Sequence, residues 1–152
     1  MKLYKLISSG LGIGYIGKGG GTLMAIVSCI CWYVAQAGGG EHYYWALIIT
    51  ALITILGTYT ATKVEADWGK DDKKVVIDEI SGMCISLLFV PVSIPVVLAG
   101  LVLFRFFDIA KPLYIRRLEA LPGGYGVMAD DVLAGIYSNI LLQAIVYFKL
   151  LR

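Results

Sequence analysis

Five carboxylates lie beside apolar segments of this chain, where isolated charges are costly. They occur in three stretches, VVIDEISG, FRFFDIAKP and GGYGVMADDVLAG, and they are Asp78, Glu79, Asp108, Asp130 and Asp131. If the fold brings them together, these acids repel one another unless a cation lies among them. Oxygen ligands without His or Cys suit Mg²⁺. The pattern therefore predicts a Mg²⁺ site.

Basic residues accompany these acids. Arg105 and Lys111 flank Asp108, and Lys18 lies in the glycine-rich stretch SGLGIGYIGKGGGT at 9–22. This stretch formally resembles a dinucleotide fingerprint and a P-loop, but no strand precedes it and an apolar helix follows, so both matches are taken as false. A glycine-rich backbone before a helix can still bind an anion. Phosphate binding with Lys18 and a flexible leader are the two interpretations.

Simpler roles compete with the metal site. Asp130 or Asp131 would be a good helix N-cap, and Thr22 could cap the first apolar helix. Asp78 and Glu79 would be favourable at a helix N-terminus. A cap accounts for one of two adjacent aspartates and not for both.

The composition predicts a membrane protein. The chain has 152 residues, of which 59% are hydrophobic and 16% are charged. A soluble domain of this size needs less apolar surface, so we expect one integral membrane domain over residues 1–152. The net charge of +2 gives no sign of a nucleic-acid partner.

Four apolar runs and two polar stretches organise the chain. The apolar runs are 22–37, 43–61, 80–107 and 131–151, and the polar stretches are 62–79 and 108–130. Because prolines interrupt helices, Pro91 and Pro95 make the third run either one kinked crossing or two short helices folded back. We expect LYIRRLEAL to form a short amphipathic surface helix. The predicted fold is an all-α polytopic bundle with about four to five membrane helices or half-helices.

The basic residues indicate the orientation. All but two of the thirteen Lys and Arg lie in the N-terminal segment, in 62–79 or in 105–117. The positive-inside rule places these three segments on the cytoplasmic side. The active site is therefore expected at the cytoplasmic face, beside charged lipid headgroups.

Three of the motifs resemble signatures of a known family. VVIDEISGM, LFRFFDIAKP and LPGGYGVMADDVLAGIY are similar to those of the phosphatidylglycerophosphatase A family, and KGGGT resembles its Lys-x-Pro-Gly-Thr element. The resemblance covers nearly the whole chain, in order. Gly20 stands where the family has proline, and Asp71 is followed by Asp72, which departs from many relatives.

The resemblance implies a bacterial inner-membrane enzyme. It would remove the terminal phosphate of phosphatidylglycerophosphate with Mg²⁺ and release phosphatidylglycerol and inorganic phosphate. The implied acidic positions, all expected metal ligands, are Asp71, Asp78, Glu79, Asp108, Asp130 and Asp131. The residues expected to act in catalysis are Asp78, Glu79, Asp130 and Asp131. Those expected to bind the substrate are Lys18, Thr22, Arg105 and Lys111.

Other functions remain open at this point. One carboxylate could activate water or act as an aspartyl nucleophile. The chain could act on another phospholipid or on an isoprenoid phosphate, although it lacks the spaced motif of CDP-alcohol transferases. It could also be a small transporter, but its acids should then line a path at mid-membrane. The sequence does not indicate an oligomeric state.

Overall fold

The computed structural model describes residues 2–36, 43–70 and 72–149, and within these ranges the chain is helical and has no strand. The helices are α1 (Leu3–Ser8), α2 (Gly20–Gln36), α3 (Tyr43–Trp68), α4 (Ile77–Ser86), α5 (Ile94–Ala110), α6 (Ile115–Leu118) and α7 (Gly124–Tyr147). A 3-10 turn at Ile13–Ile16 lies between the first two. The predicted all-α fold is confirmed.

In the part of the chain that the structure describes, two helices are long and apolar enough to cross a bilayer, namely α3 and α7. The 17 residues of α2 and α5 rise about 25 Å each, and the 10 residues of α4 rise about 15 Å. The expected four to five membrane helices or half-helices therefore fit only roughly. Leu52, Ile55, Val102 and Ile140 are each at least 60% exposed. Such apolar outward faces fit a membrane-associated protein.

The third apolar run folds back on itself. α4 ends at Ser86, and α5 begins at Ile94 after an N-cap at Ser93, whose hydroxyl accepts a hydrogen bond from the Val96 N–H. Pro95 lies in the first turn of α5, where its missing N–H costs little. Near the other end of α5, Arg105 contacts Glu79 at the start of α4. Of the two alternatives, two short helices are therefore correct.

The core lies where α4 packs against α7 and α5. Met83, Leu87, Phe104 and Leu142 are at most 1% exposed. A Cβ at Gly82 would meet the Phe104 ring, so glycine lets α4 approach α5 closely. This packing fixes the start of α4, which carries Asp78 and Glu79.

Two polar segments differ from the predictions. α3 continues past residue 61 to Trp68, because Ala61 and Val64 extend its buried face by further turns. The predicted surface helix LYIRRLEAL is reduced to the four residues of α6, because Leu113 and Tyr114 have left-handed φ angles of 54° and 73°. Its first two residues therefore cannot join a right-handed helix.

The capping interpretations are wrong. α7 begins at Gly124 after an N-cap at Gly123, so Asp130 and Asp131 lie in its second turn. The start is set by packing, since a Cβ at Gly124 would meet the Thr58 carbonyl of α3. Similarly, α2 begins at Gly20, so Thr22 is its third residue and not its cap. Tertiary contacts outweigh the local capping preferences of these side chains.

Candidate functional site

The polar segments meet at one end of the helices. Glu79 at the start of α4 contacts Arg105 near the end of α5, and the Gly124 N–H at the start of α7 donates to Thr62 Oγ1 near the end of α3, at 2.9 Å. The Val76 N–H also donates to the Ser8 carbonyl, at 2.8 Å, which ties the N-terminal segment to this end. We call this region the polar end. It brings together the three segments that the sequence places on one side.

The polar end contains a cavity of about 430 Å³, which we call the acid pocket. Its lining is mostly charged or glycine-rich and comes from the loops before α2 and α4 and from the polar ends of α2, α4, α5 and α7. The charged and hydroxyl side chains around it are Lys18, Thr22, Asp72, Lys73, Asp78, Glu79, Arg105, Asp108, Lys111, Asp130 and Asp131. Every site residue proposed from the sequence is among them except Asp71, which lies outside the described residues.

Five carboxylates approach one another closely enough to share cations. Asp78, Asp130 and Asp131 form one group, and Glu79, Asp108 and Asp131 form a second. Within each group, one oxygen of every residue lies within 4.8 Å of the others. Asp131 belongs to both groups, so the acids form one continuous cluster. These hard oxygen donors suit Mg²⁺.

Two of these carboxylates have buried oxygens without a hydrogen-bond partner. They are Asp78 Oδ1 and Asp131 Oδ2, in side chains of residues that are 8% and 1% exposed. Burying an unpaired carboxylate oxygen is costly. A cation bound between the two residues would offset that cost, so the residues present fit a metal ion.

Arg105 connects acids from two helices. Its Nη1 donates to Glu79 Oε2 at 2.9 Å and to Asp108 Oδ2 at 2.5 Å. The contact with Asp108 is the i, i+3 pair expected from the sequence. The guanidinium thereby holds α4 and α5 in a fixed relation and neutralises part of the negative charge.

Lys111 holds α7 beside the end of α5. Its Nζ donates to Asp130 Oδ2 at 2.7 Å and lies 3.2 Å from Glu119 Oε1. Burial alone would lower the pKa of this ammonium. The hydrogen bond to Asp130 and the charges of Asp130 and Asp108 outweigh burial and raise the pKa above its usual value. Lys111 is therefore a permanent positive charge in the acid pocket.

The glycine-rich loop lies at the mouth of the pocket. Gly17 and Gly19 have φ angles of 84° and 89°, which favour glycine, and Lys18 between them is exposed. Gly21 brings α2 against α4, since a Cβ there would lie 2.6 Å from Glu79 Oε1. Thr22 is also exposed. The loop and the first turn of α2 thus leave a cation and a hydroxyl open to an arriving anion.

Asp72 and Lys73 also line the acid pocket, although the sequence interpretation assigned them no role. Asp72 Oδ1 accepts a hydrogen bond from the Lys74 N–H at 2.9 Å, which forms a tight turn. The sequence feature that could have indicated a role for these two residues is the charged run KDDKK at 70–74. Spacing alone did not distinguish Asp72 from its neighbour.

A family model and several relatives match nearly the whole chain. The family model described as phosphatidylglycerophosphatase A matches residues 6–146. A Bacteroides thetaiotaomicron protein, provisionally named a phosphatidylinositol-3-phosphatase, is 41% identical, and the match covers 90% of this chain and 89% of that protein.

Two further relatives carry the family name. The phosphatidylglycerophosphatase A of Haemophilus influenzae is 40% identical, over 95% of this chain and 90% of its own length. That of Escherichia coli is 31% identical, over 95% of this chain and 82% of its own length. No solved structure matches the chain.

Proposed function

The chain belongs to the phosphatidylglycerophosphatase A family, and we propose that it removes the terminal phosphate of phosphatidylglycerophosphate. The products are phosphatidylglycerol and inorganic phosphate. We place the protein in the bacterial inner membrane with the acid pocket on the cytoplasmic side. The asymmetric distribution of Lys and Arg supports this orientation.

The acid pocket is the observation that supports the activity best. It combines the five clustered carboxylates with Lys18, Arg105 and Lys111 at the polar end of apolar helices. A phosphomonoester on a lipid headgroup would bring a high negative charge to this polar end. Phosphoryl transfer depends mainly on positioning and on neutralising that charge. The pocket supplies groups for both tasks.

We propose that the pocket holds Mg²⁺. The ligands would come from the two carboxylate groups defined above, with Asp71 added from the family resemblance. When bound, Mg²⁺ would polarise a phosphate oxygen and lower the pKa of a coordinated water. The shared position of Asp131 in both groups makes it the central ligand of this proposal.

The cationic side chains would bind the phosphate. Lys18 and Thr22 at the mouth meet the phosphate first, because both are exposed. Arg105 and Lys111 lie deeper and are held by carboxylates. They would contact phosphate oxygens while keeping α5 and α7 in place.

The acids of the pocket fit two reaction paths, one with a general base and one with an aspartyl nucleophile. In one, a carboxylate takes a proton from water as the water oxygen bonds to phosphorus and the bond from phosphorus to the glycerol oxygen breaks. The glycerol oxygen leaves with the electron pair and is then protonated. In the other, an aspartate oxygen bonds to phosphorus as the bond from phosphorus to the glycerol oxygen breaks, and the glycerol oxygen is protonated. Water then hydrolyses the acyl phosphate, which restores the carboxylate and releases inorganic phosphate. Trapping a phosphorylated aspartate in a rapid-quench experiment would select the second path.

The purified protein in detergent tests the activity and the metal together. We expect phosphate release from phosphatidylglycerophosphate with Mg²⁺ and none with excess chelator. Asp78→Asn should abolish release. Asp67→Asn, which changes an acid paired with Tyr4 and Lys5 outside the pocket, is the matched control and should retain activity. Full activity in chelator would contradict the metal proposal, and an active Asp78→Asn variant would contradict the site.

A second substrate follows from the name of the Bacteroides relative. Phosphatidylinositol 3-phosphate also carries a phosphomonoester on a lipid headgroup, so the same pocket chemistry would apply. A panel of both lipids and phosphatidic acid, compared by kcat/KM, identifies the preferred headgroup. A preference for phosphatidylinositol 3-phosphate would overturn the proposed substrate and leave the phosphatase activity standing.

A further inference from the structure

A second cavity, of about 570 Å³, lies between α2, α3 and α4. Its wall is almost entirely apolar and includes Met24 and Trp32 of α2, Trp45 and Ile49 of α3, and Ile80 of α4. We call it the apolar cavity. Its size is in the range of cavities that bind small molecules. None of the carboxylates or bases of the acid pocket lines it.

The acid pocket and the apolar cavity have neighbouring residues of α2 and α4 in their walls. Thr22 of α2 lines the acid pocket and Met24 lines the apolar cavity, and these residues are separated by a rise of about 3 Å. On α4, Glu79 lines the acid pocket and the next residue, Ile80, lines the apolar cavity. Both helices therefore pass from a charged cavity directly to an apolar one.

The length of the apolar cavity matches one leaflet of a bilayer. Its wall on α2 runs from Met24 to Gln36, a rise of about 18 Å. The hydrocarbon core of one leaflet is about 15 Å deep. A hydrocarbon chain of ordinary length would therefore fit alongside this wall.

We propose that the apolar cavity binds one acyl chain of the lipid whose phosphate enters the acid pocket. The charged and apolar cavities, adjoining along α2 and α4, complement the two parts of an amphiphile. The proposal rests on the proposed function for the identity of the headgroup. Binding the chain would hold the phosphate in position, so binding energy remote from the reaction contributes to turnover.

Cys31 allows the cavity to be blocked after the protein has folded. Its thiol lines the apolar cavity and is exposed, whereas Cys29 and Cys84 are buried. A bulky aromatic maleimide on Cys31 would occupy space that the acyl chain needs. The Cys31→Ser variant treated in the same way is the matched control, because any remaining effect then comes from the other cysteines.

Turnover of long-chain and short-chain lipids gives the first readout. We expect alkylation to lower kcat/KM for dipalmitoyl phosphatidylglycerophosphate about tenfold. The dihexanoyl lipid fills little of the cavity, so its kcat/KM should change less than twofold. Equal losses for both lipids, or no loss for either, would overturn the proposal. In Cys31→Ser protein, treatment should change kcat/KM for either lipid less than twofold relative to the same variant left untreated, and a larger selective loss there would overturn the assignment of the effect to Cys31.

Fluorescence gives a readout that does not need turnover. In a Trp45→Phe, Trp68→Phe variant, Trp32 is the remaining tryptophan, and it lines the cavity. Phosphatidylglycerol with brominated acyl chains should quench Trp32, and Cys31 alkylation should relieve most of that quenching. Quenching of this kind supports acyl-chain binding whether or not the protein hydrolyses any lipid phosphate. Quenching without hydrolysis would refute the proposed function and leave the acyl-chain proposal standing.

The competing occupant is a second copy of the chain. Light scattering of the protein in detergent, before and after alkylation of Cys31, separates the two cases. An unchanged mass is expected if an acyl chain occupies the cavity. Conversion of a dimer to a monomer by alkylation would make the cavity an interface and overturn the proposal.

Discussion

Two sets of inward-facing polar groups in this molecule are organised in opposite ways. At the turn between α4 and α5, the Asn139 amide donates to the Ser86 and Leu88 carbonyls at 3.1 and 2.6 Å. Its own carbonyl accepts a hydrogen bond from Gln143. In the acid pocket, by contrast, like charges face one another, and Asp78 and Asp131 each keep a buried oxygen without a hydrogen bond.

The difference distinguishes polar groups that stabilise the fold from polar groups that serve the proposed activity. A half-buried amide whose hydrogen bonds are satisfied contributes to stability, whereas clustered and partly unsatisfied carboxylates oppose folding. Such a cluster persists when its cost is offset by function. Changes in the acid pocket should therefore reduce activity without reducing stability, and changes at Asn139 should do the reverse.

The largest expected effect on activity is that of Asp131→Asn. Asp131 belongs to both carboxylate groups, so we expect phosphate release to fall by more than about 100-fold. In chelator, the unfolding free energy of the variant should exceed that of the wild type by about 1–3 kcal/mol, because one of several repelling charges is removed. Phosphate release and thermal unfolding in detergent measure the two effects.

Mg²⁺ sharpens this test. Saturating Mg²⁺ should raise the unfolding temperature of the wild type, since a ligand of the folded state stabilises it by about 2.7 kcal/mol at 100 times its Kd. The Asp131→Asn variant should respond much less. Asp67→Asn is the control and should respond as the wild type does. If Asp131→Asn is inactive and also less stable than the wild type in chelator, Asp131 stabilises the fold, which contradicts the contrast drawn between the acid pocket and Asn139.

The convergence of the acids could be predicted from the sequence, and the helix boundaries could not. Asp78, Asp108 and Asp131 lie at the ends of separate apolar runs, and one common rule, that charges avoid the membrane interior, places them at one end. The fold-back at Pro91 and Pro95 was likewise visible, because proline restricts the backbone locally. Both features follow from properties of single residues.

The start of α7 depends on contacts between distant segments. A Cβ at Gly124 would meet Thr58, and one at Gly126 would meet the Leu121 and Glu119 carbonyls. Local preferences favour Asp130 or Asp131 as the cap, but close packing on α3 moves the start earlier. The apolar cavity was invisible for the same reason, because its walls come from three helices whose spacing no single segment determines.

An intermediate effect is expected for Arg105→Lys. An ammonium is a compact charge and cannot reproduce the planar guanidinium that contacts both Glu79 and Asp108. We expect kcat/KM to fall about 10- to 100-fold and the Mg²⁺ concentration for half-maximal activity to rise. Arg116→Lys, at an exposed position of α6, is the control. An unchanged Mg²⁺ requirement would show that Arg105 does not position the carboxylates.

A smaller effect is expected for Gly21→Ala. The added Cβ lies 2.6 Å from Glu79 Oε1 and must displace that carboxylate. Gly20→Ala is a matched control in the same turn of α2, because its Cβ would make contacts no closer than 3.5 Å. Both substitutions favour the helix by about 0.5–1 kcal/mol. We expect an activity loss of a few-fold for Gly21→Ala alone, and equal activities would show that the position of Glu79 is not critical.

The smallest effect on activity is expected for Asn139→Ala, which should lower stability and leave activity nearly unchanged, the opposite of the acid-pocket variants. The substitution leaves the Ser86 and Leu88 carbonyls without their side-chain donor, which costs about 1–3 kcal/mol of unfolding free energy. Gln143→Ala removes only an exposed hydrogen bond to Asn139 and is the control. Because Asn139 does not line the acid pocket, kcat/KM below the unfolding temperature should stay within twofold of the wild type. A large loss of activity in folded Asn139→Ala protein would show that the two polar sets are coupled through α4 and α7. It would contradict the distinction between groups that stabilise the fold and groups that serve the activity.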